Sequence, residues 1–290
     1  MHKAGFVNII GSPNVGKSTL TNVIIGQKLV ITNAKAQTTR HRILGMRNTP
    51  QYQLILSDTP GIIAPAYKLQ ESMMEAIQSV FDDADVLIYM VEIGEKKGKD
   101  EHVIQRLSNT KKPVFLVINK IDIGNQTLLE ETIDAWKIQL PKAHIRSISA
   151  LEKFQIDELV AQIVAFLPEH PPYFPKDQLT DKSERFVVNE VIREKILRLY
   201  DKEIPYSVEV ETESFKETDK LIKIRAVIHV ERNSQKGILI GHKGAALKKV
   251  GTLARKDLEQ FFQQKVHLEL FVKVSKDWRS NANTLKRFGY

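Results

Sequence analysis

Cysteine is absent from this 290-residue chain. Disulfides, thiolate nucleophiles and cysteine-ligated metals are therefore excluded, and a cytosolic setting is the natural expectation. No run of about 18 apolar residues occurs, so no membrane-spanning helix is expected. Met1-His2-Lys3-Ala4-Gly5 leads almost at once into an apolar strand pattern, so no secretory leader is expected either, and any membrane contact would be peripheral. Aromatic residues are few, at 7%, and an acidic excess is missing: 43 Lys and Arg stand against 35 Asp and Glu, a net charge of +8. The 42% hydrophobic and 27% charged content is that of a globular protein, and the length suits two domains.

The location of the charge is more informative than its size. Between Glu231 and Tyr290 there are 13 Lys or Arg and 5 Asp or Glu, whereas the preceding residues hold 30 of each sign. The whole excess lies in the last 60 residues. A run of charge is commonly no more than a solvated face, but such concentration points to a polyanionic partner.

Near the N-terminus, Gly11-Ser12-Pro13-Asn14-Val15-Gly16-Lys17-Ser18 fits G-x-x-x-x-G-K-[S/T]. Phe6–Ile10 before it reads as a buried strand, and Thr19–Ile25 after it as a helix. Strand, glycine loop and helix gather backbone N–H groups and a helix dipole around one anion. Lys17 is then expected to reach the β- and γ-phosphates and the Ser18 hydroxyl to bind Mg²⁺.

Gln53–Ser57 reads as a second strand and runs into Asp58-Thr59-Pro60-Gly61. Asp58 is placed to hold Mg²⁺ through a water, and the Gly61 N–H to sense the γ-phosphate. Val86–Glu92 forms a further strand, and Pro113–Ile118 another that ends in Asn119-Lys120-Ile121-Asp122. The Asp122 carboxylate can accept from both N1–H and the exocyclic amine of guanine, a donor pair adenine lacks, so a kinase or ATPase is disfavoured. Asn119 would bond the opposite edge of the base and the Lys120 stem would lie over the ring. Ile145–Ile148 leads into Ser149-Ala150-Leu151, where the Ala150 N–H would meet guanine O6. Each short motif is weak alone, but all fall at strand C-terminal ends, where open α/β sheets bind ligands. Together they resemble the guanine-nucleotide-binding domain of the small and translation GTPases.

A Thr from the loop before the second strand should complete the Mg²⁺ site, and Ala36-Gln37-Thr38-Thr39-Arg40 offers two. Thr39 is preferred, because the Thr-Arg pair resembles the switch of related bacterial GTPases. The residue after Gly61 is Ile62, where Ras-like enzymes place a water-orienting Gln. Slow turnover is therefore expected, resting on Lys17, Thr39, Mg²⁺ and the Gly61 amide, with His41 the nearest alternative base. Asn14 has two readings. It either favours the turn or, as in GTPases with the same loop, helps to coordinate K⁺.

The coarse element order to Leu167 is strand, helix, strand, strand, and then helix and strand in alternation to a last helix. It includes helices over Lys68–Asp82, Lys99–Asn109 and Gln155–Leu167. This predicts an α/β P-loop domain over residues 1–168, its mostly parallel sheet covered on both faces. Four prolines between Pro168 and Pro175 mark a semi-rigid linker over 169–183. Residues 184–290 follow as an α+β domain. Its helix Arg185–Tyr200 has an apolar face of Val188, Val191, Ile192, Ile196 and Leu199. Strands are expected over Tyr206–Phe215 and Leu221–Glu231, the second with a break in its alternation near Lys223. Asn233–Leu239 is a short helix reaching Gly241-His242-Lys243-Gly244, Ala245–Gln263 a longer one, and Val266–Val274 a strand. A G-x-x-G turn between two helices beside a sheet is the type II K-homology (KH) arrangement, which clamps about four nucleotides of a single strand. Lys248, Lys249, Arg255 and Lys256 on the longer helix are expected to add phosphate contacts.

Over its whole length the chain resembles the Era-like GTPases of the TrmE-Era-EngA-like superfamily. The likeness rests on GSPNVGKS, QTTRHR, DTPGI, NKID, the proline linker and IGHKGAALKKVGTLAR. It implies a monomeric GTPase that binds GTP and GDP with Mg²⁺ and takes the 3′ region of 16S rRNA on its KH domain. It further implies action in 30S subunit assembly, in the cytoplasm with some peripheral inner-membrane association. Two residues depart from the pattern. His242 stands where Lys is frequent, and Lys243 where a third glycine is common.

Overall fold

The computed structural model describes residues Met1–Tyr290. It divides into two compact units, Met1–Pro65 with Met73–Asp181, and Lys182–Tyr290 with Ala66–Ser72.

The first unit follows the expected order: β1 (Lys3–Gly11), α1 (Lys17–Ile25), β2 (Ile43–Asn48), β3 (Tyr52–Asp58), α2 (Lys68–Asp83), β4 (Val86–Glu92), α3 (Glu101–Asn109), β5 (Val114–Asn119), α4 (Gln126–Gln139), β6 (His144–Ser147) and α5 (Ile156–Phe166). The strands lie in the order β2-β3-β1-β4-β5-β6, all parallel except β2 against β3. The order reverses direction at β1, and the glycine loop leaves that strand at its C-terminal end, at the switch point of the sheet. Successive β4 side chains serve opposite faces. Val86, Ile88 and Met90 pack with α1 and α5, while Leu87, Tyr89 and Val91 pack with α2, α3 and α4. Two-sided burial explains why this strand is apolar throughout. The third helix begins at Glu101 rather than Lys99, because the Asp100 side chain caps it by accepting from the Val103 N–H.

The proline-rich stretch up to Asp181 is laid along the first unit. Gln53 is fully buried at the start of β3. Its amide oxygen accepts from the backbone N–H groups of Tyr173 and Phe174 at 2.7 and 3.0 Å, and its nitrogen donates to the Phe174 carbonyl at 2.8 Å. The Met46 N–H donates to the Leu179 carbonyl, and the Leu44 N–H to the Asp181 carboxylate, both at 2.9 Å. These residues satisfy the otherwise open edge of β2.

The second unit contains α6 (Glu184–Leu199), α7 (Ile204–Ser207), β7 (Glu209–Thr218), β8 (Leu221–Val230), α8 (Asn233–Ile240), α9 (Ala245–Phe262), β9 (Lys265–Val274) and α10 (Ala282–Arg287). The central strand β8 is antiparallel to β7 and parallel to β9. Four sequence expectations are corrected here. The strand expected from Tyr206 starts at Glu209, because Pro205 opens the short helix α7. The alternation of β8 is unbroken once Ile222, rather than Leu221, is taken as its first inward residue. Helix α6 is not simply amphipathic. Its Arg193 is buried in a two-bond pair with Glu190 at 2.8 and 2.6 Å, and Lys195 is held by Glu194 and Asp257. Breaking such a buried pair costs about 3–5 kcal/mol. Finally, α10 was not expected at all. It is capped by Asn281 and closes with the Tyr290 hydroxyl donating to Glu209 at 2.8 Å.

Candidate nucleotide site and nucleic-acid interface

The loop between β1 and α1 is shaped by Gly16. Its φ is +103°, and a Cβ there would lie 2.3 Å from the Asn119 amide nitrogen, so no side chain fits. The close approach is held by two hydrogen bonds. The Asn119 amide nitrogen donates to the Val15 carbonyl at 2.8 Å, and its oxygen accepts from the Ala150 N–H at 2.9 Å. Asn119 therefore joins three loops. One amide hydrogen of Asn119 is thus used within the protein and the other is left for the cavity that Asn119 lines, while the Ala150 N–H, expected to meet guanine O6, is here bonded to Asn119 and buried.

These loops enclose a cavity of about 500 Å³ at the C-terminal edge of the sheet. Of the residues expected to bind GTP, the cavity is lined by Pro13, Asn14, Gly16, Lys17, Ser18, Thr59, Gly61, Asn119, Lys120, Asp122 and Leu151. Gly11, Ser12, Val15, Asp58, Pro60, Ile62, Ser149 and Ala150 stand behind that lining. Ile62 packs into the core with Ile10 and Ile77, which keeps it from orienting a water. His41 is not in the lining. Sequence reasoning did not name as ligand-binding Thr19, the loop residues Thr32, Asn33, Ala34, Lys35 and Gln37, or Ile123, all of which line the cavity. Their signal was weak. Polar loop residues carry no pattern, and only the two threonines had a chemical reason to be singled out.

Lys17 is buried, and its ammonium donates to the Gly11 and Ser12 carbonyls at 3.0 and 2.9 Å. Burial pushes its pKa down to about 8, against the opposing pull of Asp58 and Glu95. Asp58 is completely buried, and burial pushes its carboxyl upward despite bonds from Ser18 and Thr39 and the charge of Lys17. The Ser18 hydroxyl donates to Asp58 Oδ2 at 2.7 Å and lies 2.9 Å from Thr39 Oγ1, itself 3.2 Å from the same carboxylate oxygen. Asp58 Oδ1 is buried with no hydrogen-bond partner. Two hydroxyls and a carboxylate with an orphaned oxygen are the donor set of a hard divalent cation, so these residues fit Mg²⁺. Bound there, Mg²⁺ would neutralise phosphate charge. The same geometry separates the two threonines. The Thr38 hydroxyl turns away to the Lys35 carbonyl at 2.6 Å, whereas that of Thr39 meets Ser18 and Asp58.

At the far end, Lys120 has a left-handed backbone, φ +63°, and its ammonium pairs with Glu92. Asp122 Oδ1 accepts from the Ser149 hydroxyl at 2.6 Å, which fixes the carboxylate and leaves Oδ2 to a ligand. Asn14 is exposed at the cavity with φ +66°, a conformation Asn tolerates, so the turn accounts for its presence and its side chain remains available.

In the second unit, Gly241 and Gly244 have φ of +69° and +78°, and a Cβ on Gly241 would lie 2.6 Å from that of Ala246. Lys243 between them also has positive φ, +48°, the backbone reason a glycine is common there. His242, Lys243, Lys248, Lys249 and Lys256 are exposed. Arg255 is partly drawn off by Glu259 at 3.2 Å. Of the apolar lead-in Ile238-Leu239-Ile240 to the turn, Leu239 is buried and Ile238 is exposed.

Residues 6–120 match the family model described as 50S ribosome-binding GTPase, and residues 203–279 match the KH domain model. GTPase Era of Geotalea uraniireducens is 50% identical over 290 residues, covering 99% of this chain and 98% of that protein. GTPase Era of Staphylococcus haemolyticus is 45% identical and covers 100% of this chain and 97% of its own length. The chain belongs to the Era GTPase family. A crystal structure of Era in complex with MgGDPNP and nucleotides 1506–1542 of 16S ribosomal RNA superposes with a TM-score of 0.96 at 41% identity, covering 100% of this chain and 99% of that one. An Aquifex aeolicus Era variant bound to GDP and AlF4⁻ gives 0.95, also at 41% identity, with 99% of each chain covered. This Era-family chain is a GTPase with a P-loop domain, mostly parallel in its sheet, followed by a KH domain, and no helix in it is long and apolar enough to cross a membrane.

Proposed function

We propose that this chain is a GTP-hydrolysing switch that binds the 3′ region of 16S rRNA through its KH domain and acts in assembly of the 30S subunit and maturation of its rRNA. The observation that carries the reading is the cluster of Ser18, Thr39 and Asp58 beside Lys17, at the mouth of a cavity whose other end holds Asp122. A triphosphate there has a cation site that engages both the phosphate loop and the loop carrying Thr39. The RNA partner follows from the KH turn, the basic C-terminal region and the crystal structure of Era with a 16S rRNA segment. The protein acts as a monomer in the cytoplasm, where its basic region also allows peripheral association with the acidic inner membrane.

In hydrolysis, Lys17 and the loop amides hold the phosphates and stabilise the charge that shifts to the leaving group. Ile62 supplies no hydrogen bond to the attacking water, so intrinsic turnover is slow. We infer that Asn14 recruits K⁺ to supply part of the missing positive charge. Turnover is then expected to rise when K⁺ replaces Na⁺ at constant ionic strength, and Asn14→Ala should remove the rise. Equal rates in the two salts would eliminate this role.

The test of the RNA reading is the double variant His242→Asp, Lys243→Asp. Aspartate tolerates the positive φ of position 243, so the turn is kept while attraction to phosphate becomes repulsion. Binding to the 3′ segment of 16S rRNA should be lost, with nucleotide affinity unchanged. Wild-type affinity should fall steeply with salt, each phosphate contact adding roughly 0.7 to the log–log slope for a single strand. Retained RNA affinity in the variant would move the basic region to a membrane or protein partner.

A further inference from the structure

Arg42 lies three residues after Thr39, where the loop lining the cavity becomes β2. Its guanidinium does not face the cavity. Nε donates to the Ser57 hydroxyl at 2.7 Å, and Nη2 pairs with the Asp83 carboxylate at 2.7 Å, with a longer contact of 3.4 Å to the Asn8 amide oxygen. Asn8 is fully buried and donates its amide to the Val80 carbonyl at 2.6 Å and to the other Asp83 oxygen at 2.7 Å. Ser57, also fully buried, immediately precedes Asp58 in β3. One side chain thus ties the start of β2 to β3, to β1 and to the C-terminal end of α2, the helix that follows Asp58-Thr59-Pro60-Gly61.

The fully buried partners make this more than a surface ion pair. Ser57 and Asn8 would each lose a bond if Arg42 moved away, and buried polar groups resist such loss. The short chain from Arg42 back to Thr39 leaves little slack, about 10 Å even if fully extended.

We propose that Arg42 is a positioning residue that holds Thr39 over the cation site and thereby favours triphosphate over diphosphate. This rests on the GTP-switch reading given above. A diphosphate does not require Thr39, whereas a γ-phosphate with its cation does, so the pin acts on the difference between the two ligands. A ligand shifts such an equilibrium only by its differential affinity for the two arrangements.

The experiment is competition binding of GDP and a non-hydrolysable GTP analogue, with Mg²⁺, to the full chain. It compares wild type, Arg42→Ala, Arg42→Lys and Asp83→Asn, with a melting curve for each. Arg42→Ala should weaken the analogue roughly tenfold, as loss of a charge-assisted bond implies, and leave GDP within about twofold. Arg42→Lys keeps the charge for Asp83 but not the fork, and should recover part of the loss. Asp83→Asn removes the ion pair from the other end, at a half-exposed position, and should move the ratio in the same direction. It carries the test alone if Arg42→Ala does not fold. A merely structural role lowers the melting temperature and changes both affinities equally. That result, or an unchanged ratio in Asp83→Asn, would overturn the inference while wild-type binding of both nucleotides still stands. Failure of the wild type to bind either would instead sink the switch reading.

Discussion

Lys17→Ala is expected to lower affinity for both GTP and GDP by roughly 10- to 100-fold and to reduce turnover further. The ammonium is the one buried cation facing the phosphate position, and charge-assisted bonds are worth about 1.5–3 kcal/mol each. The loss is not confined to the ligand. The Ser12 carbonyl would lose the Lys17 donor at 2.9 Å and the Gly11 carbonyl would keep only the Ile62 N–H, loosening the loop that has to hold the phosphates. The pKa adds an independent signature. In the free protein burial brings Lys17 to about 8, and a bound polyphosphate raises it again. Between these two values binding takes up a proton, so nucleotide affinity should be level below about pH 7 and decline as the pH rises past 8. The alanine variant should lack that decline while keeping any contribution from ionisation of the base. Affinities within twofold of wild type, measured by titration with fluorescent GDP, would reject the phosphate assignment.

Asp122→Asn is expected to weaken guanine nucleotides by 10²-fold or more and to favour xanthine nucleotides. Asp122 Oδ1 already accepts from the Ser149 hydroxyl at 2.6 Å. An asparagine that keeps this bond through its oxygen must present its NH₂ where Oδ2 stood. A donor there clashes with the guanine amine and suits the xanthine carbonyl, and sites built on buried hydrogen bonds discriminate strongly against a mismatched group. Because the Ser149 bond is retained, the fold should be unaffected. Competition of GTP and XTP against one labelled nucleotide measures the reversal. Unchanged GTP preference would mean that another residue reads the base.

The parts of this architecture that were legible in the sequence are those where chemistry forces both residue type and spacing. Gly16 cannot carry a side chain, Lys17 and Ser18 must follow it, and apolar strands covered on both faces announce themselves by composition. Thr39 was distinguished from Thr38 only by its neighbour Arg40, but the contact with Ser18 and Asp58 gives the physical ground. What stayed hidden were side chains whose partners lie far away in sequence. Asn119 reads only as a base-edge donor, and nothing local says that it also ties Val15 to Ala150. Gln53 is one polar residue in an apolar strand, and nothing local says that it anchors Tyr173 and Phe174. Glu190, Arg193, Glu194 and Lys195 read as the wet face of a helix, because opposite charges within a turn look alike whether exposed or buried. Arg42 belongs to the same class, with partners at positions 8, 57 and 83.

The central claim is that nucleotide and RNA states bias one another, and linkage makes such coupling reciprocal. RNA affinity should be titrated with GDP, with a non-hydrolysable GTP analogue and with no nucleotide, at fixed salt. The account predicts tighter binding of the 16S rRNA 3′ segment with the analogue than with GDP, by roughly fivefold or more, and an equal gain in preference for the analogue when RNA is present. Identical RNA affinities in all three states would contradict it, leaving two independent modules on one chain.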